Sequence, residues 1–228
     1  MNDFKIIFRN ELKSFVKSTK STLFLLFLVS FFWGLFLSVR FFDSDGITVV
    51  WLMFFALVAS AGFANASFVR ERLGGSWEIL LASGISRKTI FAAKLLFVQC
   101  ASFVSGAITF CIAFLTACLV RDFVPDYPSI ATFNLAAFGY NALIFFCAAF
   151  TVNVFSAYFT LININQRAVQ LINLGSMSLC AFVIYFVPPD VKAYELITVT
   201  IIIGPSLPLL LLIPSVLYSD KVIQTVSY

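Results

Sequence analysis

The sequence predicts an all-α, polytopic membrane protein: six transmembrane helices, an N-terminal helix lying in the membrane interface and a short helix exposed in the cytoplasm. Three observations carry that prediction. Hydrophobic residues make up 61% of the 228 positions and charged residues only 11%, where soluble domains carry about a quarter charged residues. The mean hydropathy is +1.00, and a globule so apolar could not cover its own surface. Apolar runs long enough to cross a bilayer, roughly 20 residues each, recur between clusters of charge. The whole chain, 1–228, reads as a single membrane domain.

The first element is residues 1–21. Phe4, Ile7, Phe8, Leu12, Phe15 and Val16 recur at helical spacing, while Lys5, Arg9, Lys13 and Lys17 form a stripe at intervals of four. Such a helix suits the membrane interface, with aromatics in the acyl boundary and lysines near anionic headgroups. A plain basic flank to the first span is the simpler alternative. The spans are expected at 22–42, 47–68, 90–120, 132–160, 168–187 and 195–218. The third and fourth exceed what a bilayer needs, and tilt or projection would absorb the excess. The last contains Gly204, Pro205, Pro208 and Pro214, which bend or break a helix.

Between spans two and three lies the loop 70–88. Gly74 and Gly75 permit a sharp exit from the membrane, and Ser76 is a good N-cap, with Glu78 near the positive end of the helix dipole. Trp77, Leu80 and Leu81 form an apolar face at i, i+3 and i+4. Gly84 can end that helix, and Ser86 can cap the next. Two turns are not stable alone, so this helix must dock, either on the chain's own spans and lipid or in a partner's groove. An amide-rich turn follows span four, with Asn163, Gln166 and Asn173 leading into Ser176 and Ser178. Asn65, Gln99, Asn141 and Asn153 add amides to other spans. In lipid these groups need helix neighbours or a wet cavity, which makes them either helix–helix glue or a translocation surface.

Charge sets the orientation. Six spans place both termini on one side, and twelve of the fifteen Lys/Arg fall on that side or, as with Lys94, just inside the adjoining span. Arg40, Arg121 and Lys192 lie opposite, among six acidic residues, so both termini are expected in the cytoplasm. The first apolar run, preceded by about 20 basic amphipathic residues, is too long for a cleaved signal and is expected to be a retained anchor.

Several function classes are excluded by what the chain lacks. A net charge of +4 on so apolar a chain does not suggest nucleic acid. The five cysteines (100, 111, 118, 147 and 180) all sit in apolar runs without metal or C-x-x-C spacing, and read as small membrane hydrophobes. There is no histidine, and no charge in the middle third of any predicted span, where ion-coupled carriers keep their ionisable groups. No nucleophile–base pair or metal set can be assembled, so no catalytic residue is assigned. Lys88-Thr89 lacks the glycines of a phosphate-binding loop. Energy for active transport would have to come from another chain.

The order of these features resembles the membrane subunits of ATP-binding-cassette exporters of the type-2 permease family. The likeness includes subunits associated with gliding motility and nitrous-oxide-reductase maturation, and more distantly the B component of the haem exporter. Phe4–Thr19, with Arg9-Asn-Glu-Leu at its centre, resembles the family's elbow helix. Arg70-Glu-Arg-Leu-Gly-Gly-Ser-Trp-Glu-Ile-Leu-Leu-Ala-Ser-Gly-Ile-Ser-Arg, followed by Lys94-Leu-Leu, resembles its coupling helix. Gly84-Ile85 replaces a common proline, and Ser76-Trp77 stands where a threonine is common. Tyr158–Ala168 is similar to a later family segment at Thr160 and Gln166, with Arg167 an addition.

The resemblance implies a non-enzymatic half-pore in a bacterial cytoplasmic membrane, paired with a second copy or paralogue. One ATPase subunit would sit beneath each half, with ATP and Mg bound there and no cofactor on this chain. Trp77, Leu80 and Leu81 would then dock on the ATPase, rimmed by Glu71, Arg72, Glu78 and Arg87. Phe4, Phe8 and Phe15 would anchor the elbow in lipid, and Asn163, Gln166 and Asn173 would line the subunit seam or the pathway. Many aromatics and no charge partner in the spans favour a hydrophobic or amphipathic load. A second reading is a membrane scaffold or assembly factor without a transported substrate, or a part of the cytochrome c maturation apparatus similar to the haem exporter's B component.

Overall fold

The computed structural model describes residues 2–18, 24, 28, 31–32, 57–58, 60–70, 79–80, 82, 84–121, 135–162, 165–186 and 194–217. Most of the first two expected spans therefore lies outside the described residues, as does the six-span count. Among the described residues the chain is helical, without strands. Helix α1 is Asn2–Ser18, and a π-helical turn covers Asn65–Arg70. Then follow α2 (Arg87–Arg121), α3 (Leu135–Ile162), α4 (Gln166–Phe186), α5 (Tyr194–Ile203) and α6 (Ser206–Leu217). Among the described residues three stretches are long and apolar enough to cross a membrane: Arg87–Thr116, Ala142–Ile162 and Ile197–Val216.

α2 starts where the sequence places a cap. Gly84 has φ of 75°, a left-handed conformation that ends the preceding helical residues at no steric cost. The Ser86 hydroxyl then accepts the Thr89 N–H at 3.2 Å, and the Ser86 carbonyl accepts the Ile90 N–H at 3.1 Å. At 1.5 Å per residue the 35 residues of α2 extend roughly 50 Å, well beyond the hydrocarbon core. α4 is capped in the same manner, the Asn165 side chain accepting the Arg167 N–H at 3.0 Å.

α3 is the centre of the bundle and packs against α2, α4, α5 and α6. Close approach to α2 depends on a line of small inward residues, Ser102, Ser105, Gly106 and Thr109. The hydroxyls of Ser102, Ser105 and Thr109 donate back to carbonyls of α2 at 2.7–2.9 Å. A Cβ at Gly106 would lie 2.5 Å from Cε1 of the buried Phe145 ring. Gly106→Leu is expected to lower stability by about 1–3 kcal/mol in detergent unfolding, with partial recovery when Phe145→Ala is added. No recovery would mean that the two helices do not meet here.

The proline-rich last span is broken rather than bent. Gly204 and Pro205 form a turn between α5 and α6. Pro205 has no N–H for the ladder, and the carbonyls of the last α5 turn must find other donors. Thr151 of α3 donates to the Ile202 carbonyl at 2.8 Å, and Ser206 donates to the Ile203 carbonyl at 2.7 Å. The hydroxyl of a neighbouring helix thus fixes where the break sits.

Among the described residues apolar packing divides into two clusters. One joins Ile7 of α1, Phe63, Phe68, Ile90, Phe91, Phe97, Val154 and Leu161. The other joins Leu57, Ile144, Phe145, Val152, Met177 and Ile202. Leucines on the outer faces are exposed, including Leu119, Leu171 and Leu211, as expected of surfaces whose solvent is lipid.

Candidate functional site

The site is the corner where α1, the π-helical turn and the first turns of α2 meet. On α1, spacing of i, i+3, i+4 and i+7 puts Phe4, Ile7, Phe8 and Glu11 on one face. Ile7 and Glu11 are buried and the two phenylalanines half-buried. Phe8 stacks on Phe4 with ring centroids 6.4 Å apart, and meets Phe97 of α2 edge-on at 5.7 Å. The aromatic face of α1 is therefore turned toward the protein. Phe68 of the π-helical turn packs on Phe91, 5.7 Å away, completing the aromatic floor.

Within that floor sit two charges. Lys94, fully buried at 0% exposure, forms an ion pair with Glu11. The second carboxylate oxygen of Glu11 accepts the Ser67 hydroxyl at 3.1 Å, and the Lys94 ammonium also approaches the Ser67 carbonyl at 3.5 Å. Three elements thus close one polar ring. An isolated lysine in lipid costs about 2.5–3.5 kcal/mol, so neither charge can be buried without the other. Wide π-helical turns recur at functional positions, and this one supplies both Ser67 contacts.

A second polar cluster holds α3 to its neighbours. Ser60 donates to Asn153 Oδ1 at 2.8 Å, and Asn153 Nδ2 donates to Gln99 Oε1 at 2.9 Å. Gln99 Nε2 in turn donates to the Phe146 carbonyl at 3.1 Å. Ser102 lies 2.8 Å from Ser60. These amides bond helix to helix and form closed glue.

The residues singled out in the sequence separate as follows. Glu71, Arg72, Trp77, Glu78, Leu81 and Asn163 lie outside the described residues, as do the side chains of Phe15 and Gln166. Leu80 is half-buried against the cluster of Ile90 and Phe91, whereas its neighbour Ile79 is 74% exposed. Leu80 thus makes part of its contact within the chain, and Ile79 faces out. Arg87 is the half-buried first residue of α2. Asn173 is buried between α4 and α3, its Oδ1 accepting the Ser156 hydroxyl at 2.6 Å, and its Nδ2 has no partner among the described residues.

Sequence reasoning missed the Glu11–Lys94 pair. The signal was present: Glu11 occupies the apolar stripe of α1, three residues after Phe8, and Lys94 stands inside an apolar run. Each is a charge where a charge needs a partner. Among the described residues no group of His, Cys, Asp and Glu could hold a metal ion. The ring of Glu11, Lys94 and Ser67 ties an N-terminal helix to the foot of a long one.

Residues 2–194 match the family model described as ABC-2 type transporter. No curated protein and no solved structure matches the chain.

Proposed function

Because the chain belongs to the ABC-2 type transporter family, whose membrane domain is a permease component that works with an ATP-binding subunit, we propose that it is half of the translocation pathway of an exporter. In this reading a second copy or a paralogue supplies the other half. The ATPase subunits sit on the cytoplasmic side, where both termini of this chain also lie, in a bacterial inner membrane. ATP and Mg bind to those subunits. The segment after Phe68 carries the finer affinity with subunits of gliding motility and nitrous-oxide-reductase maturation.

The observation that best supports the reading is the shared footing of three parts. Leu80 and Ile85 pack on the same apolar cluster as α1, the π-helical turn and the start of α2. A push on the 79–86 segment therefore reaches α2 through packed side chains, and the Glu11–Lys94–Ser67 ring keeps α1 and α2 from sliding apart. In this role α1 is a strut rather than a loose anchor. Ile79, exposed beside the inward Leu80, joins Trp77 as the apolar contact offered to the ATPase.

Ile79→Arg is expected to reduce recovery of the neighbouring ATP-binding subunit at least tenfold in co-purification, since a buried interface anchor is worth about 2 kcal/mol or more. Membrane insertion and α-helical content should be unchanged. The Trp77→Ala, Glu78→Arg double variant should behave likewise. A full complement of ATPase on both variants would contradict the docking assignment.

A further inference from the structure

A polar layer separates the two apolar clusters. Among the buried core residues the change from one cluster to the other falls between Leu57 and Phe63, and on α3 between Val152 and Val154. On α2 it falls between Val98 and Phe110. Ser60, Asn153, Ser102, Ser105 and Thr109 occupy those intervals, all of them buried, and Ser60 donates to Asn153 at 2.8 Å. Hydroxyls that bond back to their own helix bend it, and on α2 the run Ser102–Thr109 places that bend in the layer.

The last span crosses the layer at its break. α5 puts Ile202 into the cluster of Ile144 and Met177, with Val199 and Ile203 against it. α6 puts Ile213 into the cluster of Ile90 and Phe97, with Leu209, Leu210 and Val216 against it. Among the described residues no hydrophobic side chain of α5 joins the cluster of α6, and none of α6 joins that of α5. The join between them is slight. The Gly204 N–H donates to the Thr200 carbonyl at 2.8 Å, and Pro205 has no N–H to return to Ile201. From α3, the buried Thr151 hydroxyl donates to the Ile202 carbonyl at 2.8 Å. Gly204 is exposed, and a Cβ there would lie 2.9 Å from the Thr200 carbonyl oxygen, so the turn closes this tightly only around glycine.

We propose that Gly204–Pro205 is a hinge on which α6 tilts against α5, and that Thr151 is the positioning residue that sets its resting angle. The two halves keep different company. α6 shares its cluster with Leu80 and Ile85, with α1 and with the first turns of α2. α5 shares its cluster with Met177 and Cys180 of α4. A displacement of the 79–86 segment therefore carries α6 along within one packed body, while α5 stays with α4. Close-packed cores transmit strain rather than absorb it. The strain gathers in the layer, where hydroxyls exchange carbonyl partners and Pro205 has already opened the backbone ladder. The hinge itself rests on packing alone, whereas its being driven by ATP rests on the proposed function.

The test places spin labels on noncanonical residues, sparing the native cysteines, in the full chain in lipid nanodiscs diluted with unlabelled chain. Distances are read by double electron–electron resonance. Ile197 and Leu211, both exposed, report across the break. Ile197 with Leu179 reports within the body of α5 and α4, and Leu211 with Leu96 within that of α6 and α2; these sites are exposed as well. The wild-type Ile197–Leu211 distribution is expected to have one peak, and Pro205→Ala, which returns the missing N–H, should make it narrower. Thr151→Val should broaden it roughly twofold as a second angle becomes populated. Thr151→Ser should keep the wild-type width, and adding Pro205→Ala to Thr151→Val should narrow it again. With the ATP-binding subunit bound, ATP should shift the wild-type Ile197–Leu211 distance by about 2 Å or more. The shift should be lost in Pro205→Ala, with both within-body distances fixed throughout.

Equal widths in wild type and Thr151→Val overturn the role of Thr151. A wild-type distribution no broader than that of Pro205→Ala overturns the hinge, and this comparison decides it even where Thr151→Val does not fold. So does a complex that hydrolyses ATP without moving Ile197 relative to Leu211, or one whose shift is spread evenly over all three pairs. Failure of the complex to assemble would count against the proposed function, and the widths measured in the chain alone would still decide the hinge.

Discussion

Replacing Lys94 by Met is expected to destabilise the chain by about 3–5 kcal/mol, because it strands Glu11 as an uncompensated buried charge. Glu11→Gln should fall in the same range for the reverse reason, leaving Lys94 fully buried beside a neutral amide. The double replacement Glu11→Leu, Lys94→Met should recover most of the loss, since removing a buried pair together is often neutral. Thermal unfolding of the detergent-solubilised chain reads all three. The non-additivity is the informative quantity: contacting residues couple by about 0.5–3 kcal/mol or more, distant ones by a few tenths. If the two single losses simply add in the double variant, the pair does not form in the folded protein.

The second large effect is expected at Asn153. Its side chain accepts from Ser60 and donates to Gln99, with Ser102 alongside, so truncation releases partners on two other segments at once. Interhelical hydrogen bonds in membranes average about 0.6 kcal/mol and reach about 1.7. Losing two of them and leaving Gln99 Oε1 unpaired should bring Asn153→Ala to about 2–3 kcal/mol. Asn153→Gln is too long for the same geometry and should recover little. By contrast Asn173→Ala, which removes the bond to Ser156, should cost about 1 kcal/mol. Near-equal unfolding midpoints for Asn153→Ala and wild type would mean that the cluster contributes nothing to holding α3.

Much of the fold could be read from the chain because it rests on local rules. The Ser86 cap, the Gly84 stop and the break at Gly204–Pro205 each follow from one or two residues and the backbone they permit. The helical periodicity of the N-terminal segment likewise gives α1. Local rules do not say what a helical face meets. Phe4, Phe8 and Glu11 share a face by periodicity, yet whether that face enters lipid or protein depends on Phe97 and Lys94, both far along the chain on α2. The same holds for Leu80 and Ile79. The i, i+3, i+4 pattern of Trp77, Leu80 and Leu81 marks an apolar side, but it does not show that Leu80 packs half-buried against the cluster around Ile90 while Ile79 is exposed. Amides in the spans show the limit from the other direction. Composition allows glue or pathway, and only the partners of Gln99 and Asn153 select glue.

In the proposed mechanism α1 and α2 move as one body because Glu11 and Lys94 hold them together. Reversing the pair tests it most directly. Glu11→Lys and Lys94→Glu alone each bury two like charges, whereas together they restore the attraction, although the carboxylate then placed on α2 is less comfortable beside the Ser67 carbonyl than the native ammonium. The measurement is the amount of ATP-binding subunit recovered with the purified chain. We predict that each single reversal loses most of it and that the exchanged pair regains more than about half. Recovery in the exchanged pair no better than in the single reversals, together with wild-type recovery for Glu11→Gln, would contradict it.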